Sequence, residues 1–138
     1  MTAEIVRLTA DNAALLERVA DDVFDEAIDP HRLAAYLAEP SHLMFVAVTE
    51  GAVVGQIAGV VHRHPDQPTE LYIDNLGVAE AHRRQGIARR LMEALLDLGR
   101  SLGCEEAWVA TEPDNGPARS LYAALAEVEA VVMYAFDI

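Results

Sequence analysis

The chain has 138 residues, 52% of them hydrophobic, and carries a formal net charge of −13 at pH 7. This length and hydrophobic content predict one domain over residues 1–138 and exclude intrinsic disorder. The acidic balance argues against a nucleic-acid-binding face, and the single cysteine excludes an internal disulfide framework. No apolar run approaches the roughly 18 residues of a membrane span, so we expect a cytoplasmic protein without a membrane partner.

Hydrophobic spacing predicts a mixed α/β chain in the order β-α-α-β-β-β-α-β-α-β. Because a helix joins the strands at 70–78 and 104–110, these two strands should be parallel. Trp108 on the second of them is expected in the core. The predicted strands are 4–8, 43–48, 52–61, 70–78, 104–110 and 129–138, and the predicted helices are 11–26, 30–38, 86–102 and 117–126.

The most distinctive stretch is the arginine-rich turn HRRQGIARR, residues 82–90, between a predicted strand and a predicted helix. The first amides of a helix have no internal partner and favour an anion, and Gly86 and Ala88 are small enough to let one approach. An ordinary helix start with solvated arginines is the alternative. The chain lacks both a Walker lysine and a GxGxxG loop, so a nucleotide loop is not indicated. Four of the ten basic residues lie in the turn: Arg83, Arg84, Arg89 and Arg90.

A second motif, Asn115-x-x-Ala118-x-x-Leu121-Tyr122, follows the turn by about thirty residues. Together, the two motifs resemble those of the GNAT superfamily of N-acetyltransferases, and the resemblance runs from roughly Leu43 to the end. It implies an α/β (α+β) GNAT fold: a mixed, mostly antiparallel central sheet whose parallel central strands splay around acetyl-CoA, with helices on both faces.

The resemblance also implies how acetyl-CoA binds. The turn would hold the pyrophosphate, and the strand before it would pair with the pantetheine arm. The implied cofactor-binding residues are Leu76, Gly77, Val78, Arg83, Arg84, Gln85, Gly86, Ile87, Ala88, Arg89, Asn115, Ala118 and Tyr122.

A narrower resemblance, to the aminoglycoside 3-N-acetyltransferase branch, rests on ELYIDNLGV, EAHRRQGIARRLMEALL and the terminal VVMYAFDI. It implies an aminoglycoside acetylated at its 3-amino group, a role in antibiotic resistance and a homodimer. The chain departs from that branch at Asn75, where an aspartate is usual, and at Leu125-Ala126-Glu127, where Leu-Gly-Phe is usual.

Transfer of an acetyl group from a thioester to an amine needs a base for the ammonium proton and benefits from an acid for the leaving thiolate. The phenol of Tyr122, at the matching position of the second motif, is the predicted acid, because its pKa lies near that of a thiol. The alternative role for Tyr122 is core packing.

Asp74 is the predicted base, because a carboxylate within an apolar strand is costly unless it lines a cleft. A strand bulge before Gly77 could bring Asn75 into the cleft instead, and the loop acids Glu112 and Asp114 are further candidates. Strict alternation would place Tyr72, Asp74 and Leu76 on one face and Leu71, Ile73 and Asn75 on the other.

The acidic charge favours a cationic substrate. Near the C-terminus, Asp137, with Glu127 and Glu129, could bind it together with Asp74, Asn75, Glu112 and Asp114. An acidic run from Asp21 to Asp29 is a further candidate, although such runs are more often only solvated. A polyamine and a protein lysine or N-terminus are alternative substrates, and a non-catalytic coenzyme A-binding module is the alternative from another class. No metal site is expected, because His62 and His64 lack a third ligand.

Overall fold

The computed structural model describes residues 2–138, which form one five-stranded sheet in the order β1-β2-β3-β4-β5. The first three neighbouring pairs are antiparallel, and β4 and β5 are parallel. The mixed sheet is therefore confirmed. The strands are β1 (Glu4–Arg7), β2 (His42–Thr49), β3 (Ala52–His62), β4 (Glu70–Val78) and β5 (Glu106–Val109), and the α-helices are α1 (Pro30–Ala38), α2 (Ile87–Ser101) and α3 (Gly116–Ala123).

The two faces of the sheet pack against different parts of the chain. Gly55 faces Ile87 and Leu91 of α2, and Gly59 faces Leu95, so α2 covers that face with a continuous apolar contact. Residues of an antiparallel strand alternate between faces. The next residue, Gln56, accordingly lies on the other face, where its Nε2 donates to the carbonyl of Val23 at 3.2 Å.

The helix predicted over 11–26 is wrong beyond its first half. A 3-10 helix spans Ala10–Glu17, with Thr9 and Asn12 forming a reciprocal capping box at its start. The chain then leaves the helix because Val19 pairs with Val53 of β3. Residues 18–29 are irregular, and this keeps the carbonyl of Val23 against the sheet.

The strand predicted over 129–138 is also wrong for this structure, which gives no strand to residues 124–138. A strand needs a partner for its backbone groups, and none of the described residues pairs with this segment. Its large apolar side chains are exposed instead, with Phe136 84% accessible. Trp108 was expected in the core and is 49% exposed, because β5 is the edge strand.

Among residues 2–138, no helix is long and apolar enough to cross a membrane.

Candidate active site

The arginine-rich turn adopts a backbone that few sequences allow. Arg84 and Gly86 both have positive φ, 63° and 78°, and Gly86 is the N-cap of α2. A glycine is favoured at position 86, because this left-handed conformation strains any residue with a Cβ. Arg83 Nε donates to the Val78 carbonyl at 3.1 Å, which ties the turn to the end of β4.

The start of α2 fits an anionic group. No side chain caps the helix, so the first amides, at Ile87, Ala88 and Arg89, keep their donor capacity. An ideal Cβ on Gly86 would meet nothing within 4 Å, so the space over the turn is open. Gln85 and Arg84 are exposed beside it. Backbone donors, a helix dipole and flanking guanidinium groups are what a pyrophosphate requires.

The sheet opens next to this turn. β4 pairs with β5 only from Glu70 to Ile73, whereas β4 continues to Val78. The edge of β4 that faces β5 therefore lacks a strand partner from Asp74 to Val78, including Leu76 and Gly77. Free backbone groups on a strand edge can bond an extended ligand arm as a further strand would. The residues present fit acetyl-CoA at both the strand and the turn.

A β-bulge places Asp74 at the point where the two strands part. In the register of β3 with β4, Gly59 pairs with Ile73 and Ala58 pairs with Asn75, so Asp74 is the extra residue. The strict alternation predicted for β4 is therefore wrong beyond Asp74. Asn75 shares a face with Tyr72, because both pair with residues on the face opposite α2. Leu76, which pairs with Ile57, moves to the α2 face.

Two side chains near Asp74 were missed from the sequence. Tyr36 of α1 stacks on His42 of β2 with ring centroids 4.6 Å apart, and its hydroxyl donates to the Leu43 carbonyl at 3.2 Å. Burial raises the pKa of Asp74, while its own backbone amide and His42 oppose the rise. Burial, and secondly the Asp74 charge, raises the pKa of Tyr36. No local motif marks these residues, because strand pairing brings them together from separate segments.

The second motif lies on α3 and its N-terminal loop. Asn115 is the N-cap of α3, and its side-chain oxygen accepts from the Ala118 amide at 3.2 Å. Tyr122 is half-buried and packs against the core, and burial raises the pKa of its phenol. The phenol is therefore protonated at neutral pH, and the raised pKa makes it a weaker proton donor than an exposed tyrosine.

The other predicted acids lie at the surface. Glu112 and Asp114 are exposed in the loop between β5 and α3, and Asp137 is exposed near the C-terminus. The acidic run from Asp21 to Asp29 is not helical, and its Val23 carbonyl packs against Gly77. Within the described part of the chain, no group of three or more His, Cys, Asp or Glu residues could hold a metal ion.

Comparison with known proteins identifies the class that this geometry belongs to. The model of the acetyltransferase (GNAT) family matches residues 11–126. The chain belongs to this family, whose members take their acetyl group from acetyl-CoA. The expectations of the GNAT fold, of an acyltransferase and of acetyl-CoA as cofactor are thereby confirmed.

Individual relatives differ in what they acetylate. N-alpha-acetyltransferase 30 of Schizosaccharomyces pombe is 33% identical over 78 residues, which cover 56% of this chain and 52% of the relative. Aminoglycoside N(6′)-acetyltransferase type 1 of Salmonella typhimurium is 27% identical over 106 residues, or 71% of this chain and 72% of the relative. The chain thus spans about half of the first relative and nearly three quarters of the second.

One solved structure matches the chain over nearly its full length. It is an aminoglycoside acetyltransferase from an uncultured soil metagenomic sample, with a TM-score of 0.87 at 26% identity. The match covers 100% of this chain and 99% of the other.

Proposed function

We propose that the protein acetylates an amino group of an aminoglycoside and so confers antibiotic resistance in the cytoplasm. The observation that carries this proposal is the carboxylate of Asp74 at the parting of β4 and β5, on an acidic protein with one cationic turn. The cationic turn suits the anionic cofactor, and the acidic remainder attracts a cationic acceptor.

In this proposal, each side chain has one task. Acetyl-CoA, when bound, supplies an activated thioester. Asp74 accepts the proton of the acceptor ammonium, and its raised pKa brings its basicity closer to the task. Tyr122 donates its phenolic proton to the departing sulfur. A Tyr122→Phe enzyme should therefore lose about 100-fold in kcat, with a much smaller change in its KM for acetyl-CoA because the ring keeps its packing. An unchanged kcat would contradict this role.

The acceptor is proposed from two observations that agree on the class of compound. The relative in Salmonella typhimurium and the soil structure are both named aminoglycoside acetyltransferases. The name of the soil structure specifies no nitrogen, whereas the Salmonella relative is of the 6′ type and so differs from the 3-amino position that the sequence resemblance implies. We retain the 3-amino group as the predicted position.

The test is a thiol-release assay with acetyl-CoA and four acceptors: kanamycin, gentamicin, spermidine and a peptide with a free N-terminus and a lysine. We expect turnover on the aminoglycosides, with the acetyl group at the 3-amino position by NMR of the product. Acetylation at the 6′ position would correct the position alone. Turnover on the peptide or on spermidine alone would overturn the aminoglycoside proposal. Acetyl-CoA binding without turnover on any acceptor would favour the non-catalytic module.

We further propose a homodimer in which residues 124–138 of one copy add a strand to β5 of the other. β5 bonds only β4 within the described residues, so its outer edge is open to a strand. The segment that would cover it is largely apolar and more than 70% exposed at seven side chains: Val128, Val131, Val132, Met133, Tyr134, Phe136 and Ile138.

Sedimentation of the wild type at micromolar concentration should give a dimer, and Val132→Asp should give a monomer. An exposed change in the loop before β4, Gln67→Asp, is the matched control and should leave the dimer intact. A monomeric wild type would contradict the proposal.

A further inference from the structure

One cross-strand row of the sheet carries most of its exposed aromatic surface. The register pairs His42 with Val60, Val60 with Tyr72 and Tyr72 with Trp108, across β2 to β5. Directly paired residues project to the same face of a sheet. The row lies on the face opposite α2. Tyr72 and Trp108 stack, with ring centroids 4.2 Å apart and an angle of 25° between the planes.

The stacked pair is accessible to a ligand. Trp108 is 49% exposed and Tyr72 is partly exposed, although both are large and β5 belongs to the central sheet. Two aromatic rings held in contact at a surface present a rigid, apolar face, at a smaller entropic cost than two mobile side chains.

A carboxylate is fixed beside the pair. Glu70 precedes Tyr72 by two residues on β4 and so lies on the same face. Its Oε2 accepts a hydrogen bond from Trp108 Nε1 at 3.1 Å. Its Oε1 lies 3.3 Å from His64 Nε2, and His64 in turn packs on His62. The indole and the carboxylate therefore hold each other in place.

The stacked pair lies between Glu70 and Asp74. Along β4, Glu70, Tyr72 and Asp74 span about 13 Å at the rise of an extended strand. With Trp108, they form an aromatic strip whose carboxylates lie at its two ends. Glu106 of β5, which pairs with Glu70, adds a third acid at the outer end. A single amine would need only Asp74, so the rest of the strip suits a longer cation.

We propose that the aromatic strip binds a second aminosugar ring of the acceptor, while the reacting amine of the first ring lies at Asp74. The C–H face of a sugar ring stacks on the Tyr72–Trp108 pair, and its ammonium groups meet the ring faces and the carboxylate of Glu70. The strip thus selects polycationic acceptors with several rings. This inference rests on the aminoglycoside function proposed above.

Trp108 is the only tryptophan of the chain, so its fluorescence reports on the strip directly. We would titrate the wild type, saturated with coenzyme A, with kanamycin, which has three rings, and with 2-deoxystreptamine, which is its central ring alone. Kanamycin should change the Trp108 emission saturably. 2-Deoxystreptamine should leave it nearly unchanged, because a single ring at Asp74 does not reach the pair.

Kinetics then separate the strip from the reacting centre. Trp108→Ala should raise KM for kanamycin about ten-fold, as expected for loss of an aromatic contact to a cation. It should leave KM for acetyl-CoA and for 2-deoxystreptamine unchanged. Trp108→Phe should recover part of the loss, and Glu70→Gln should also raise KM for kanamycin. Glu17→Gln, an exposed acid on the 3-10 helix, is the matched control and should change neither constant.

The outcomes distinguish a failure of the proposed strip from a failure of the proposed function. Suppose that the wild type acetylates kanamycin, but that Trp108→Ala leaves the KM for kanamycin unchanged or raises the KM for kanamycin and for 2-deoxystreptamine equally. The proposed role of the strip is then wrong, and the proposed function stands. The proposed role of the strip is also wrong if kanamycin is acetylated but does not change the Trp108 emission. If the wild type acetylates no aminoglycoside, the function is overturned and the strip with it.

Discussion

The proposed cofactor side and the proposed acceptor side of the site differ in how the chain builds them. The arginine-rich turn lies in nine consecutive residues, and α2 behind it packs on the sheet through Ile87, Leu91 and Leu95, each almost fully buried. The acceptor side instead combines α1, the irregular residues 18–29, β4 and the exposed edge strand β5. One half is local and closely packed, and the other depends on contacts between distant segments.

The difference matches what each half has to do. GNAT acetyltransferases use acetyl-CoA, and a fixed backbone geometry suits one cofactor. Acceptors vary in shape, and a surface assembled from several segments can change without disturbing the turn. Substitutions at Asp74, Gly77 and Gly86 test how independent the two halves are.

The largest effect is expected from removal of the Asp74 charge. Asp74→Asn should lower kcat/KM for the acceptor by about 100- to 10,000-fold, because the ammonium proton loses its acceptor. The affinity for acetyl-CoA should not change, since β4 and the turn would hold the cofactor through backbone groups that the substitution leaves in place. Steady-state kinetics with both substrates varied will measure this. Asp66→Asn, in the exposed loop before β4, is the matched control.

A preserved rate and pH profile in Asp74→Asn would contradict the role of Asp74. Loss of activity in Glu112→Gln or Asp114→Asn would then identify that residue, in the neighbouring loop, as the base. Retention of activity in both variants would leave water as the proton acceptor.

The second effect concerns the contact that joins the two halves. A Cβ on Gly77 would lie 2.3 Å from the Val23 carbonyl oxygen, which is backbone and cannot move aside cheaply. Gly77→Ala should therefore lower the free energy of unfolding by about 1–3 kcal/mol and raise KM for the acceptor. Denaturant unfolding measures the first quantity. Gly116→Ala, where a Cβ would meet nothing within 4 Å, is the control and should not destabilise the protein.

The sequence predicted the local structure of the arginine-rich turn and α2 well because the signals for that structure are local. Gly86, the arginines and the apolar face of α2 all lie in one stretch, and the predicted helix 86–102 agrees with the observed Ile87–Ser101. The acceptor half carried weaker signals. The bulge at Asp74 arises from pairing with β3, and Tyr36 reaches the site only through the fold.

Two wrong predictions have a related cause. The helix over 11–26 ends early because Val19 finds a strand partner in Val53, a contact that helical spacing does not reveal. The β-rich pattern at 129–138 is that of a strand, but a strand forms only where a partner is available.

The third effect, on the cofactor side, is smaller. Gly86→Ala places a Cβ at φ 78°, which costs about 1 kcal/mol of stability and moves the α2 amides away from their positions. Loss of one such hydrogen bond should raise KM for acetyl-CoA roughly five-fold. Gly103→Ala, at φ 92° and equally open, should cost similar stability and leave KM unchanged. Equal effects of the two variants on KM would show that strain alone, and not position, is responsible.

The smallest expected effect is on the free energy of unfolding, which the ionised carboxylate of Asp74 should lower. Because burial raises the pKa of Asp74 in the folded protein, the folded state prefers the protonated carboxyl. The stability that this group contributes is fully present below its unfolded pKa and is lost as pH rises through the raised folded value. Asp74→Asn, which carries no charge, should therefore unfold at a higher denaturant concentration than the wild type at pH 7.

The advantage of Asp74→Asn should shrink as pH falls towards the ordinary range of an aspartate, because the wild-type carboxyl is then protonated as well. Urea unfolding at a series of pH values measures the difference, with Asp66→Asn as the exposed control, for which a smaller change is expected. An advantage that persists unchanged at acidic pH would mean that hydrogen bonding of the amide, and not removal of a partly desolvated charge, stabilises the variant. If the prediction holds, the ionised carboxylate at the bulge lowers the stability of the acceptor half. The glycine turn of the cofactor half contains no carboxylate and carries no such cost.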